Sequence, residues 1–374
     1  METITLSPDV LSWAASQVGS TLDEIARKIS KRHFSKIAGG LLTSAEAVKF
    51  SEKTQTPLGY LFLHSPPAPR ELPIADFRTL PASDRLSKDF FDVFDDIDYK
   101  QSWYRDYLLS VGAEPLAFVG KFAKEPPAAK VVADDMRNIL EYDVSEGAGL
   151  GSSDELFSLL VSKCEKAGIL VFKNGVVGNN TRRRLAVSEF RGFAISDSIA
   201  PVVFINGTDA PAAWLFTLAH ELAHIWLGES GVSDAAWKTQ NSHERFCNAI
   251  AAEFFVPKAD FAREWNKAAD LDPMGKIESF RRHFKVSTLV LARTALELGL
   301  VGQSFYSSIY TAARGKAKNE KSGGNFYATL GTRNSKTLSR RVADLAVSGG
   351  ISLRLAGRLL NTNPNNVLTF HAKQ

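Results

Sequence analysis

Cysteine is nearly absent: Cys164 and Cys247 are too few for a disulfide framework and too far apart for a C-x-x-C site. No run of eighteen apolar residues occurs, and the start Met1-Glu2-Thr3-Ile4-Thr5-Leu6-Ser7-Pro8 has no basic segment leading into an apolar one. Membrane insertion and export are therefore not expected, and a reducing cytoplasm is the expected compartment. Excess charge is scarce too, at +4, so a preference for charged partners must be local. A chain of 374 residues, 44% hydrophobic and 23% charged, is long enough for two or three domains with a substantial core.

Histidine is also sparse, with seven residues, yet two of them stand in His220-Glu221-Leu222-Ala223-His224. On a helix, residues four apart lie on one face, so two imidazoles at this spacing can grip one zinc ion while Glu221 addresses its water. Asp209 is the expected N-cap, Pro211 falls in the first turn and Gly228 is the expected stop. Trp214, Leu215, Leu218, Leu222, Ile225 and Trp226 make a broad apolar surface, so this helix should be buried and its histidines should need partners.

A catalytic zinc usually takes three protein ligands. A third His after H-E-x-x-H-x-x-G is ruled out, because Leu227 and Ser230 occupy the required positions. Two His plus one Glu is the alternative. Downstream, Ser242 to Phe255 reads as a helix capped by Asn241 or Ser242 and ended by Pro257. Glu244 and Asn248 share a face there with Cys247 and Ala251, so Glu244 could ligate and Asn248 could hold a ligand from behind. Glu229, Asp234, His243 and Glu253 compete for the third place. Glu229 sits close after the second His, and Glu253 lies two and a half turns from Glu244, so Glu244 is preferred.

Gly192-Phe193-Ala194-Ile195, Pro201 to Asn206, Phe216 to His224, and Glu244-x-x-Cys247-Asn248-x-x-Ala251-Ala252-x-Phe254-x-x-Pro257 together resemble the ImmA/IrrE family of zinc metallopeptidases. Its known members are bacterial and phage regulators that cleave, or promote cleavage of, a transcriptional repressor. The resemblance implies zinc on His220, His224 and Glu244, with Glu221 as general base. Cys247 departs from the usual Ala; it is either a buried small hydrophobe or a thiol near the metal. Asp76-Phe77-Arg78-Thr79 and Gly323-Gly324-Asn325-Phe326-Tyr327 are similar to elements of the longer subfamily that carries an amino-terminal XRE-like helix-turn-helix.

Residues 1 to about 65 read as helical, with a short turn at Gly39-Gly40 and a core from Ala47, Val48, Phe50, Leu58, Tyr60, Leu61 and Phe62. Arg27, Lys28, Lys31, Arg32 and Lys36 are cations in a stretch, Ile25 to Ala45, without an acid. That profile suits a helix-turn-helix meeting phosphate, with Lys28, Lys31, Arg32 and Lys36 as candidate contacts to double-stranded DNA; a helical docking module is the alternative. Pro66-Pro67-Ala68-Pro69 is a stiff connector. Residues 76 to 143 read as helices, and Asp84, Asp89, Asp92, Asp95, Asp96 and Asp98 as a solvated or cation-facing surface. Trp103, Tyr104 and Tyr107 read as packing residues.

From Ser152 a helix over Glu155–Lys166 leads to strands at Ile169–Phe172, Phe190–Ile195 and Val202–Ile205, whose exposed edge would accept an extended peptide. Arg182-Arg183-Arg184 reads as a solvated hairpin or a selector of acidic substrates. A helix opening at Phe284-Lys285-Val286-Ser287 should run past Leu298. Arg314 to Arg341, with Lys316, Lys318, Lys321, Arg333, Lys336 and Arg340 against Glu320 alone, is expected to be a mobile basic loop.

The expected class is α+β and mostly helical, a small mixed sheet packed on an HExxH zincin helix. The expected division is a helix-turn-helix-like domain at 1–65, a linker and helical region at 66–150, a zincin-type metallopeptidase domain at 151–300, and a basic loop with C-terminal helices at 301–374. The expected function is zinc-dependent proteolysis of a repressor or toxin–antitoxin partner, with double-stranded DNA and a homodimer as further candidate partners. His243, His283 and Arg293 are candidates for stabilising the oxyanion. The competing classes are a DNA-binding regulator or antitoxin whose zinc domain docks or senses a partner, and a scaffold that binds a toxin or repressor.

Overall fold

The computed structural model describes residues 3–68, 70–78, 86–234, 239, 241–314 and 326–373. Pro69, Thr79, Asp84, Lys316, Lys318, Glu320, Lys321, Gly323, Gly324 and Asn325 lie outside the described residues. The chain divides into two compact units, Met1–Pro73 with Arg85–Phe91, and Ile74–Asp84 with Asp92–Gln374.

The first unit is not purely helical. It contains β1 (Thr3–Thr5), α1 (Pro8–Ser16), α2 (Leu22–Ile29), α3 (Phe34–Ala38), β2 (Leu41–Thr43) and α4 (Ser44–Thr54). Capping boxes, Thr21 with Glu24 and Thr43 with Glu46, start α2 and α4. Gly39-Gly40 does more than turn between helices, because it delivers β2 to an antiparallel pairing with β1. Gly40 has φ 87°, and a Cβ there would lie 2.2 Å from the Leu6 carbonyl oxygen, so only glycine fits. Ala47, Phe50 and Leu61 enter the core with Leu11, Ile25, Ile37 and Leu42. Val48, Leu58, Tyr60 and Phe62, expected in the core, are exposed: Val48 sits on the outer face of α4, and the other three lie on a 3-10 turn that buries Leu61. Lys28, Lys31, Arg32 and Lys36 are all exposed.

The second unit holds β3 (Ala75–Asp76), α5 (Lys88–Ser110, within this unit from Asp92), α6 (Ala129–Ile139), α7 (Val144–Ala148), α8 (Ser153–Lys166), β4 (Leu170–Asn174), β5 (Val176–Val177) and β6 (Asn180–Arg184). It continues through β7 (Gly192–Ile195), β8 (Val202–Asn206), α9 (Pro211–Leu227), β9 (Gly231–Ser233), α10 (Ser242–Phe255), α11 (Lys258–Lys267), α12 (Pro273–Phe284) and α13 (Thr288–Glu297). The last helices are α14 (Gln303–Arg314), α15 (Phe326–Arg333), α16 (Lys336–Val347), α17 (Leu353–Leu359) and α18 (Pro364–His371). The protein is α+β and mostly helical. Its five-stranded sheet runs β3-β9-β7-β8-β4 and is mixed: β4 is parallel to β8 and β3 to β9, while β7 is antiparallel to both of its neighbours.

Strand β8 is buried at every residue and α9 from Trp214 to Leu227, so strand and helix bury one another in a core that also takes in α6, α8, α10 and α13. Ala210, not Asp209, is the N-cap of α9; Asp209 lies one residue earlier and pairs with Arg191. Gly228, with φ 75°, ends that helix as expected. Residues 76–143 are less helical than expected, since β3 opens them and no helix covers 111–128. Lys285, at φ 56°, ends α12, and Ser287 caps α13, so Phe284-Lys285 joins two helices. The described part of the expected basic loop, 326–341, is helical as α15 and the start of α16. No helix among the described residues is long and apolar enough to cross a membrane.

Two acids of the Asp-rich run face cations. Asp92 pairs with Arg183 at 2.6 Å, and Asp96 accepts from the buried Lys100 at 2.5 Å. Lys100 Nζ also donates to Asn334 at 2.8 Å, tying α5 to the carboxy-terminal helices. Burial lowers the Lys100 pKa, and Asp96 opposes that shift. Lys100→Ala strands Asp96 and Asn334, and is expected to lower the unfolding free energy by about 2–3 kcal/mol in urea titrations. A loss below about 0.5 kcal/mol would mean that the contact is dispensable.

Candidate metal centre

Helix α9 places His220 and His224 on one face one turn apart, and α10 packs across that face carrying Glu244 and Asn248. Asn241 caps α10 by accepting from the His243 amide at 2.9 Å, which fixes Glu244 in the first turn. His220 Nε2 and His224 Nε2 are 3.2 Å apart. The Glu244 carboxylate meets them at 3.3 Å from His220 and 3.1 Å from His224. His220, Glu221, His224 and Glu244 are each 0% exposed.

The outward nitrogens of both rings are engaged. His220 Nδ1 donates to Asn248 Oδ1 at 3.1 Å, and His224 Nδ1 donates to Glu229 Oε2 at 3.2 Å. An amide or carboxylate oxygen can only accept, so each imidazole holds its proton at Nδ1 and turns the Nε2 lone pair inward. Neither Glu244 oxygen has a hydrogen bond of good geometry among the described residues. Two lone pairs and a carboxylate therefore crowd together in an apolar core, an arrangement that calls for positive charge at its centre. The electrostatics show the same demand for positive charge in another form: protonation of His224, which replaces its inward lone pair by an N–H, is favoured beside Glu244. Burial pushes the Glu244 carboxyl up, but His220 and His224 outweigh it and hold it at about 2. Burial opposes charge on His224, yet Cys247, Glu229 and Glu244 together hold its pKa well above the ordinary imidazole range. His220, His224 and Glu244 could hold a metal ion with the nitrogen and oxygen donors that suit zinc.

Glu221 points to the sheet side. Its Oε1 accepts from Ser233 Oγ on β9 at 2.5 Å, and its Oε2 has no hydrogen-bond partner among the described residues. Burial pushes this carboxyl above the usual range, with His220 and His224 opposing. Gly192 on β7 makes the position possible: a Cβ there would lie 2.8 Å from Glu221 Oε1, from the Phe204 carbonyl oxygen and from Thr217 Cγ2. A second glycine shapes the opposite side. Gly231 leaves room for Phe77, whose ring would meet a Cβ at 2.2 Å. Phe77 stacks on His224, with centroids 5.1 Å apart and planes 2° from parallel. Arg78 fixes its neighbourhood, bonding Asp76 at 2.7 Å and the Glu189 carbonyl.

Residues 164–296 match the Peptidase_M78 family, whose model is described as an IrrE N-terminal-like domain. The matched span runs from the end of α8 through α13 and includes the whole histidine–carboxylate cluster. It supports the ImmA/IrrE resemblance over these residues and suggests a metallopeptidase; the amino-terminal unit lies outside it. No curated protein matches the chain.

The structure brings His220, Glu221, His224, Glu244 and Asn248 together. Lys28, Lys31, Arg32 and Lys36 lie in the first unit. Among the competitors for the third place, Glu253 accepts from the Lys258 amide, and Asp234 contributes to the charge around Arg78. Glu229 does not turn towards the cluster's centre; it bridges His224 and His243, reaching His243 Nδ1 at 2.8 Å. Gly228 was the signal, since its left-handed turn carries Glu229 back over the end of α9. Cys247 is both buried and near the cluster, with Sγ 3.6 Å from His224 Nδ1, and burial pushes its thiol up. Of the oxyanion candidates His243 alone borders the cluster; Arg293 is engaged by Glu297, and His283 packs edge-on against Phe284. On the β7 side the sheet extends further than expected, because β9 pairs along β7 and β3 pairs outside β9, so its edge strands are β3 and β4. The chain's own return after α9 supplies β9. Ser233 carries no motif and escapes a reading of the sequence; Gly192 and Phe77 stand in stretches that carry the family resemblance, but nothing in the sequence places them beside Glu221 and His224.

Gly192→Ala should force α9 away from β7. The expected outcome is a loss of about 1–3 kcal/mol in thermal or urea unfolding. Unaltered stability would mean that the helix has slack against the sheet.

Proposed function

We propose that this protein is a zinc-dependent endopeptidase that regulates a transcriptional repressor or a toxin–antitoxin or phage-type partner by proteolysis. The reading rests on one observation, the inward meeting of His220 Nε2, His224 Nε2 and the Glu244 carboxylate with both Nδ1 atoms engaged elsewhere. In this reading His220, His224 and Glu244 hold zinc, and Asn248 and Glu229 orient the imidazoles from behind. Zinc bound there supplies a Lewis acid for the scissile carbonyl and brings water ionisation towards neutral pH. Glu221 Oε2 takes the proton of the attacking water and returns it to the leaving amine, while Ser233 keeps Oε1 fixed. Phe77 and β9 exclude bulk water from this space. The complete burial of the four side chains suits an enzyme that acts on one partner rather than on peptides at large.

That same burial favours a second reading, a DNA-binding regulator or antitoxin whose zinc domain docks or senses a partner without significant proteolysis. Glu221→Gln separates the two. Zinc content should be retained while cleavage of the repressor or antitoxin encoded beside this gene falls about 10²–10⁴-fold. If the variant keeps its zinc and the partner's fate does not change, the catalytic reading is wrong. Asn248→Ala releases the His220 ring, and in chelator competition zinc affinity should fall about 10–100-fold. An affinity equal to wild type would remove Asn248 from the site.

A further inference from the structure

The carboxy-terminal helices α16, α17 and α18 pack on one another around Leu338, Val342, Leu359, Val367 and Phe370. The joint between α17 and α18 is a four-residue turn, 360–363, built to a tight specification. Asn361 adopts the left-handed conformation at φ 50°, and the Thr362 amide donates to the Gly357 carbonyl at 2.8 Å. A Cβ on Gly357 would lie 2.8 Å from the Thr362 carbonyl oxygen and 3.2 Å from Pro364, so a small residue is required where the two helices cross. Asn363 caps α18 and Pro364 takes its first turn. Side chains from elsewhere pin this turn: Asn334 donates to the Leu360 carbonyl, Asn361 donates to Asp96, and Asn179 at the tip of the β5–β6 hairpin donates to the Asn361 carbonyl. Arg333 in turn holds Asn179 at 2.9 Å.

The charge on this body is one-sided. From Arg333 to Lys373 there are seven lysines and arginines, and Asp344 is the sole acid. Arg354 and Arg358, one turn apart on α17 and both exposed, line an open groove of about 670 Å³ with Asn179, Asn363 and Asn366. Arg358 is steadied over the Tyr99 ring at 4.5 Å. The β5–β6 hairpin, whose tip reaches the groove, adds the exposed Arg182 and Arg184. Helix α18 turns Val367 and Phe370 inward and leaves Asn365, Asn366, Leu368 and Thr369 wholly or partly exposed.

We propose that α17 and α18 form a helix-turn-helix that binds double-stranded DNA, with α18 in the major groove and Arg354, Arg358, Arg182 and Arg184 on the flanking phosphates. A joint of three to four residues with a small residue at the crossing is what such a pair needs. Eight residues at about 1.5 Å each give α18 about 12 Å, the width of a major groove. In the first unit α3 has five residues and spans only about 7.5 Å. The exposed Asn365 on α18 offers the paired donor and acceptor that reads adenine, whereas an acidic protein surface would have no use for it.

The test is fluorescence anisotropy of the full-length zinc-loaded protein with a labelled mixed-sequence duplex of about three helical turns, over a salt series. Wild type should bind at about 50 mM salt and weaken steeply with salt. Arg354→Gln with Arg358→Gln should flatten the slope of log affinity against log salt by about 1.8, and Arg182→Gln with Arg184→Gln should do the same. Both double variants should keep the wild-type thermal midpoint. No duplex binding by wild type, an unchanged slope in both arginine pairs, or a slope lost only on neutralising Lys28, Lys31, Arg32 and Lys36 would each overturn the proposal. So would competition by polyglutamate as strong as by unlabelled duplex, which would assign the groove to an acidic protein.

Discussion

The burial of α9 from Trp214 to Leu227 governs the rest of the second unit. A helix so covered cannot leave two imidazoles and a carboxylate facing hydrocarbon unless each finds a partner, because an unpaired buried charge costs several kcal/mol. The surrounding elements supply these partners in order. Helix α10 brings Glu244 and Asn248, the left-handed turn at Gly228 returns Glu229, and β9 brings Ser233. What that accounting leaves unsatisfied among these groups is the inward nitrogens of His220 and His224, both oxygens of Glu244 and Glu221 Oε2. Structure and chemistry are one constraint here: the apolar shell that stabilises the fold also concentrates the cluster's demand for a cation.

Glu221 and Glu244 both feel the charge of the same imidazoles, but their environments differ. Glu244 lies between both rings and is held at about 2, whereas Glu221 faces the sheet and is pushed up by burial. One carboxylate is thereby kept charged, as a ligand must be, and the other is left free to hold a proton. The asymmetry within Glu221 repeats this logic on a smaller scale. The Ser233 hydroxyl anchors one oxygen and leaves its twin without a partner.

Helix α9 was legible because its signal is both chemical and periodic. His220, Glu221 and His224 at fixed spacing, within an apolar helix that Gly228 stops, admit few other arrangements, and the start of α10 was legible to within Asn241 or Ser242, of which Asn241 is the cap. Glu244 was harder to choose because several acids share its neighbourhood in sequence; only packing shows that Glu253 serves Lys258 and that Glu229 approaches His224 from behind. The short pairing of β1 with β2 escaped because three-residue strands carry no usable alternation. The outer strand β3 escaped for a different reason: it is two residues long, and it meets β9 across more than 150 residues of chain. The carboxy-terminal helices were legible as helices, but the tight joint at Gly357 and Asn361 depends on backbone angles and contacts that composition does not encode.

Gly192 makes the sharpest contribution per atom. It donates no hydrogen bond to the cluster, carries no charge and binds nothing; it only declines to fill the space where Glu221, Thr217 and the Phe204 carbonyl meet. The seat of the Glu221 carboxylate is thus set by a missing methyl. A determinant of this kind is silent in any survey of reactive side chains, yet it tolerates less variation than many groups that touch the cluster directly. An asparagine behind a histidine can be exchanged for another acceptor, but a glycine between a helix and a strand has no smaller substitute. For a protein built in this way, the vacant volumes between its elements are as much a part of the site as the atoms around them.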